Sequence, residues 1–244
     1  LRRLFSIVPT GVVTSLLVGV AHGSFLGLSA VYAARAGLTA AEIGVFVALP
    51  TLGSLLLQVP ISAASDDLDR RAVGAVAAIA AGGAAVLLVV SEVGSPPSML
   101  AMVLIGGTTY PLYSIAGAYT NDWVPTAQMT AAASQLVVVL GVGAFIGPFL
   151  TSIVMGAVGN VGFAWMIVGV HVLIASFLIV RMVQHRTPLR AKPWNEVALA
   201  ARVFLFPATA LGMGRRIRAS QNRRIPLFGD DEPAASTSDD PGDG

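Results

Sequence analysis

Five stretches without a single Asp, Glu, Lys or Arg dominate this 244-residue chain. They lie between Arg3 and Arg35, Glu42 and Asp66, Arg71 and Glu92, Glu92 and Asp122, and Asp122 and Arg181, and run for 31, 23, 20, 29 and 58 residues. A hydrocarbon core is crossed by a helix of about 20 apolar residues, so the first four runs each hold one span and the last holds two. Backbone hydrogen bonds must close within each span in lipid, which makes the spans helices; a transmembrane barrel would show short alternating strands instead. The expected fold class is all-α integral membrane, with six transmembrane helices near 7–33, 43–64, 72–90, 99–119, 129–156 and 163–182. With 55% hydrophobic and 11% charged residues the chain is far from the composition of a soluble domain. It has no cysteine, which excludes disulfides, thiolate metal sites and cysteine nucleophiles, and no cofactor is implied. The first run is too long for a signal-peptide core, and a chain that begins at Leu1 without an initiator methionine is expected to be a fragment.

Local signals mark the helix ends. Thr39 followed three residues later by Glu42 reads as a capping box that starts the second helix, and Pro125 with Thr126 reads as a similar opening for the fifth. Pro9, Pro50, Pro60, Pro111 and Pro148 fall inside or at the ends of spans, where each frees a carbonyl and can bend its helix. Such kinks suit a moving bundle, and they also occur as ordinary packing features of membrane helices. If the N-terminus lies inside, the inner side carries Arg2, Arg3, Arg70, Arg71, Arg181, Arg186, Arg190 and Lys192, against Arg35 alone outside. That asymmetry predicts both termini in the cytoplasm and a multi-pass protein of the plasma (inner) membrane; it accounts for the basic balance without nucleic-acid binding.

Three domains follow from composition: a transmembrane bundle over 1–182, a basic cytoplasmic tail over 183–228, and a disordered acidic tail over 229–244 rich in Pro, Ser and Gly. Within the basic tail, Val197, Ala201, Phe204, Ala208 and Leu211 share a helical face, so 194–213 is expected to lie on the membrane surface ahead of five arginines between Arg215 and Arg224.

Short of Arg181 at the end of the sixth span, the spans carry no charged residue, so polarity must be read from hydroxyls, amides, Tyr and His. The third span has none of these, and the sixth has only His171 and Ser176, so both can face lipid. The first span carries Ser15, His22 and Ser29 at spacings of seven. The second carries Thr51, Ser54, Gln58 and Ser62, and the fourth carries Tyr110, Ser114, Gly117 and Asn121. Polar stripes in hydrocarbon should point at each other or at water; interhelical hydrogen bonding, worth about 0.6 kcal/mol per contact, is the simpler use of any one of them. Gly19, Gly23 and Gly27 on the first span, and Gly143 and Gly147 on the fifth, form small-residue rows for close helix approach. An offset of 87 residues aligns Leu17 with Leu104, Gly19 with Gly106, Tyr32 with Tyr119, Thr39 with Thr126, Ala40 with Ala127 and Leu49 with Leu136, which suggests two three-helix repeats.

The second helix ends in Ser62-Ala63-Ala64-Ser65-Asp66-Asp67-Leu68-Asp69-Arg70-Arg71. This resembles the G-x-x-x-D-R-x-G-R-R loop of the major facilitator superfamily: Asp66, Arg70 and Arg71 match, while Ser62, Asp67 and Asp69 replace the first Gly, the central basic residue and the second Gly. Gly147-Pro148 is similar to the Gly-Pro of the fifth and eleventh helices of that superfamily. The resemblance implies the C-terminal half, helices seven to twelve, of a twelve-helix transporter, whose partner would be a separate N-terminal six-helix half. It also implies that helices one, two, four and five of the half approach a central cavity while three and six lie outside. Physically, Asp66 can face the positive N-terminal end of a helix and Arg70 and Arg71 can anchor the next helix at the surface, together latching one conformation; the alternative is a solvated turn.

The expected function is secondary transport of a small neutral or amphipathic solute within the bilayer, because the lining offers hydroxyls, Tyr and His without fixed charge. The candidate solute contacts are His22, Ser15, Ser29, Gln58, Tyr110, Tyr113 and Asn121. His22, near mid-span, is the leading one, for solute or for a coupling proton, against a neutral packing histidine. A non-transporting membrane scaffold is the competing reading. An intramembrane serine protease would need G-x-S-G on the fourth span, which reads Tyr113-Ser114-Ile115-Ala116, and a zinc protease would need H-E-x-x-H.

Overall fold

A computed structural model describes residues 2–184. After a short helix at Arg2–Ile7, six long ones follow: α1 (Pro9–Arg35), α2 (Ala40–Asp67), α3 (Arg70–Val90), α4 (Pro96–Asn121), α5 (Met129–Val158) and α6 (Gly162–Gln184). Each is long and apolar enough to cross a membrane, and the described residues contain no strand. The chain is a multi-pass membrane protein. The surface segment 194–213, the arginines beyond it and the acidic tail 229–244 lie outside the described residues.

The helix starts follow from side chains that satisfy free amides. Thr39 caps α2: its hydroxyl accepts from the Glu42 amide, and the Glu42 carboxylate accepts from the Thr39 amide and hydroxyl, both at 2.7 Å. These bonds favour the ionised acid and hold Glu42 below the usual carboxylate range. Pro9 opens α1, where its missing N–H costs nothing. The fifth helix departs from expectation. Pro125 occupies the cap position without a side-chain bond, and a 3-10 turn, Thr126–Gln128, precedes α5, so Thr126 does not cap it.

Packing reveals two interleaved repeats. The most extensive contacts join α1 to α5 and α2 to α4, a pattern that exchanges with itself when α1, α2, α3 are swapped for α4, α5, α6; α3 and α6 pair with each other. The correspondence reaches single residues. Gly19 lies over the Leu140 carbonyl as Gly106 lies over that of Pro50, and Gly143 lies over Leu16 and Val20 as Gly53 lies over Val103 and Gly107. On α1 and α4 the paired positions are 87 apart (Gly19 with Gly106, Leu16 with Val103), but on α2 and α5 they are 90 apart (Pro50 with Leu140, Gly53 with Gly143). The connection between α4 and α5 is longer than that between α1 and α2 by three residues. The sequence matches at Thr39, Ala40 and Leu49 are therefore out of structural register.

The glycine rows do what their spacing suggests. Gly19 and Gly23 meet the α5 backbone at Leu140 and Ala144, Gly147 meets Val20 and Ser24, and Gly27 meets the Pro148 ring, so all four lie in one α1–α5 crossing. On α3, Val76, Ile79, Val86 and Val90 are exposed at helical spacing while Ala78, Ala81, Ala85 and Leu88 are buried. That is an outward apolar stripe, as expected for a helix facing lipid. The opposite faces of α3 and α6 enter the core.

Candidate functional site

On the C-terminal half of α4 the accessible positions are Tyr110, Tyr113, Ser114, Gly117, Ala118 and Asn121, while Thr109, Leu112, Ala116 and Thr120 are buried; nearer its start Leu100, Val103 and Leu104 are also accessible. The polar row read from sequence is thus the open face of this helix, and a Cβ at Gly117 would meet nothing. Across from it, His22 of α1 is half-buried, with its ring 4.8 Å from that of Tyr110 and 5.7 Å from that of Phe25. Its Nε2 is enclosed and has no hydrogen-bond partner. The Tyr110 hydroxyl reaches Thr51 on α2, and two turns further along α2 the exposed Gln58 accepts from Ser54 at 3.2 Å. α1 and α4 therefore bring His22 and Tyr110 together, and Thr51 and Gln58 lie two turns apart on the exposed side of α2.

Other candidates fall elsewhere. Ser15 and Ser29 are 0% and 2% exposed: they stack with His22 along α1 as their spacing requires, but α5, α4 and α6 enclose that helix and keep both serines inside. Tyr113 packs against the buried cluster that holds Val18, Leu112 and Ile174. His171 was expected to have only Ser176 near it on an outer helix. Instead Ser176 is exposed, and His171 is fully buried with its Nε2 2.9 Å from Thr109 Oγ1 on α4.

The charged end is a network. Arg70 bonds Asp66 at 2.9 Å and Asp122 at 2.8 Å. Asp69 caps α3 by accepting from the Arg71 amide at 2.9 Å and also pairs with the Arg71 guanidinium at 2.9 Å. Arg71 reaches on to the Arg181 carbonyl at 2.9 Å, and Arg181 donates to Thr10 at 2.9 Å. The network ties α1, α2, α3, α4 and α6 together at this end. Arg71 is 2% exposed, so this is no solvated turn. Asp122 was missed as a participant; as the lone acid between Glu92 and the C-terminal tail it was the available signal.

Over the described residues, an all-helical bundle of two interleaved repeats with six helices long and apolar enough to span a bilayer defines a multi-pass membrane protein. Comparison with known families agrees: the model of the Major Facilitator Superfamily matches residues 10–225, and the chain belongs to that superfamily. It is similar to the uncharacterized MFS-type transporter YE1530 of Yersinia enterocolitica, 25% identical over 74% of this chain and 46% of the relative. It also resembles the uncharacterized MFS-type transporter YcaD of Salmonella arizonae, 26% identical over 59% of this chain and 37% of the relative. The chain spans less than half the length of these curated relatives. No solved structure matches.

Proposed function

We propose that the chain is the C-terminal half, helices seven to twelve, of a twelve-helix secondary transporter that moves a small neutral or amphipathic solute by alternating access. The polar face on the C-terminal half of α4 carries this reading: Tyr110, Ser114, Gly117 and Asn121 are accessible where Thr109, Leu112, Ala116 and Thr120 are buried, and the His22 ring lies 4.8 Å from that of Tyr110. Away from the helix ends, the described residues of the spans include two histidines and no Asp, Glu, Lys or Arg, which favours a solute recognised by hydrogen bonds and ring contacts. His22 is the leading contact, because an enclosed Nε2 without a partner is a hydrogen-bonding position left for a solute or a proton. An N-terminal six-helix half would cover the exposed apolar faces of α2 (Leu52, Leu55, Leu56, Val59) and α5 (Val138, Val142, Phe145, Phe149). Asp66, 30% exposed beyond its pairing with Arg70, would face a helix end of that half, with Arg70 and Arg71 holding the loop.

Co-expression with such an N-terminal half, followed by uptake of radiolabelled sugars, nucleosides and neutral amino acids, tests the proposal. The pair should accumulate at least one solute and the chain alone none. His22→Ala should lower that uptake about fivefold, the loss of one hydrogen bond of about 1 kcal/mol, with membrane expression unchanged. Uptake by the pair that is indifferent to His22 would remove His22 from the pathway.

We propose that both termini lie in the cytoplasm of an inner-membrane protein, a reading that the basic asymmetry supports. Reporter fusions after Arg35, Glu92 and Asn160 should read outside and a fusion after Arg71 inside; the reverse pattern would invert the topology.

A further inference from the structure

Thr109 of α4 stands between the two membrane histidines. Its hydroxyl is 2.9 Å from His171 Nε2 on α6, and the ring of its neighbour Tyr110 lies 4.8 Å from that of His22 on α1. His171 is fully enclosed, with Nδ1 2.8 Å from the Ile167 carbonyl. A carbonyl only accepts, so Nδ1 carries the proton. In the neutral ring Nε2 then offers a lone pair, and the Thr109 hydroxyl donates to it. Both ring nitrogens are satisfied, which lets a histidine sit wholly inside an apolar bundle.

The choice made by Thr109 is informative. A threonine in a membrane helix commonly bonds a carbonyl of the preceding turn, as Thr108 does with Leu104 at 2.7 Å and Thr120 does with Ala116 at 2.8 Å. Thr109 turns to α6 instead. It sits two residues before Pro111, which lies inside α4; the missing proline N–H leaves a carbonyl one turn back without its helical partner and weakens the helix there. Tyr110, which meets His22 and Thr51, lies in that weakened turn.

We propose that His171 is a positioning residue for the solute face: through the Thr109 hydroxyl it braces the Pro111 turn of α4 and so sets how Tyr110 and His22 meet. The assignment of that face to a solute rests on the transport reading, but the brace is read without any solute. A transport failure and a brace failure are therefore separate results.

The experiment is histidine-selective nitrogen-15 NMR of the full chain in nanodiscs of phosphatidylethanolamine and phosphatidylglycerol. His22, His171 and His185 are distinguished by substituting each in turn. His171 should show the Nδ1–H tautomer with a hydrogen-bonded Nε2. Thr109→Val, which removes the hydroxyl at nearly constant volume, should shift the signals of His171 and His22 together by more than their linewidths, and Thr109→Ser should restore both. A Thr109→Val spectrum in which His171 moves and His22 does not overturns the proposal, as does an Nε2–H tautomer at His171. If Thr109→Val does not fold, His171→Gln and His171→Leu decide the matter. The glutamine oxygen can stand where Nε2 stands and should leave the His22 signals in place, whereas leucine should displace them. His22 signals unchanged in His171→Leu, or displaced equally by both variants, overturn the proposal too.

Discussion

Asp69→Ala is expected to destabilise the chain by about 3 kcal/mol, read as a large fall in melting temperature in nanodiscs. Asp69 does two jobs at once. It accepts from the Arg71 amide at the start of α3, and its carboxylate faces the Arg71 guanidinium through Nε at 3.2 Å and through the terminal nitrogen at 2.9 Å. Arg71 is buried, so the variant takes from a buried cation the carboxylate that meets it at two nitrogens. Loss of the cap adds about 1 kcal/mol, whereas the buried charge supplies most of the effect. The double variant Asp69→Ala with Arg71→Leu should recover much of the loss, because the buried cation is then removed together with its counter-charge. A single variant that melts with the parent chain would show that Arg71 finds water or another anion.

The second large effect is expected at the helix crossings. An alanine Cβ at Gly23 would overlap the Ala144 backbone, and one at Gly53 would overlap the Val103 carbonyl. The obstacle is backbone in both cases, so a side-chain rotation cannot relieve it and the helices must separate, at a cost of about 2–3 kcal/mol each. Gly83, Gly141 and Gly156 have nothing within reach of an added Cβ, and alanine there should be neutral or stabilise by up to about 1 kcal/mol through helix propensity. Melting temperatures of the five variants sort the crossings from the open faces. Equal behaviour of Gly23→Ala and Gly83→Ala would contradict the α1–α5 packing.

Much of this was legible because membrane helices write their length and their caps in short stretches of sequence. The uncharged runs define six spans, Thr39 and Glu42 define the start of α2, and the spacing of Tyr110, Ser114, Gly117 and Asn121 defines the open face of α4. What stayed hidden depends on partners distant along the chain. His171 is apolar in its own neighbourhood, and its partner Thr109 is 62 residues away; Arg70 finds Asp122 across 52 residues. Ser15 and Ser29 share a face with His22, but period alone does not tell whether another helix covers that face. The three-residue difference between the two inter-helix connections also shifted the repeat, so a single offset aligned α1 with α4 and misaligned α2 with α5.

The central claim, that the α4 polar row faces a water-filled pathway, has a direct test because the chain contains no cysteine. Single cysteines at Ser114 and Gly117 are probed in native membranes with a membrane-impermeant thiol reagent added from each side, with Ile79→Cys on the outward stripe of α3 and Ser15→Cys inside the bundle as references. The account predicts labelling at Ser114 and Gly117 from at least one side and none at Ile79 or Ser15. Ser114 and Gly117 as unreactive as Ile79 would contradict it, placing the polar row against protein or lipid instead of water.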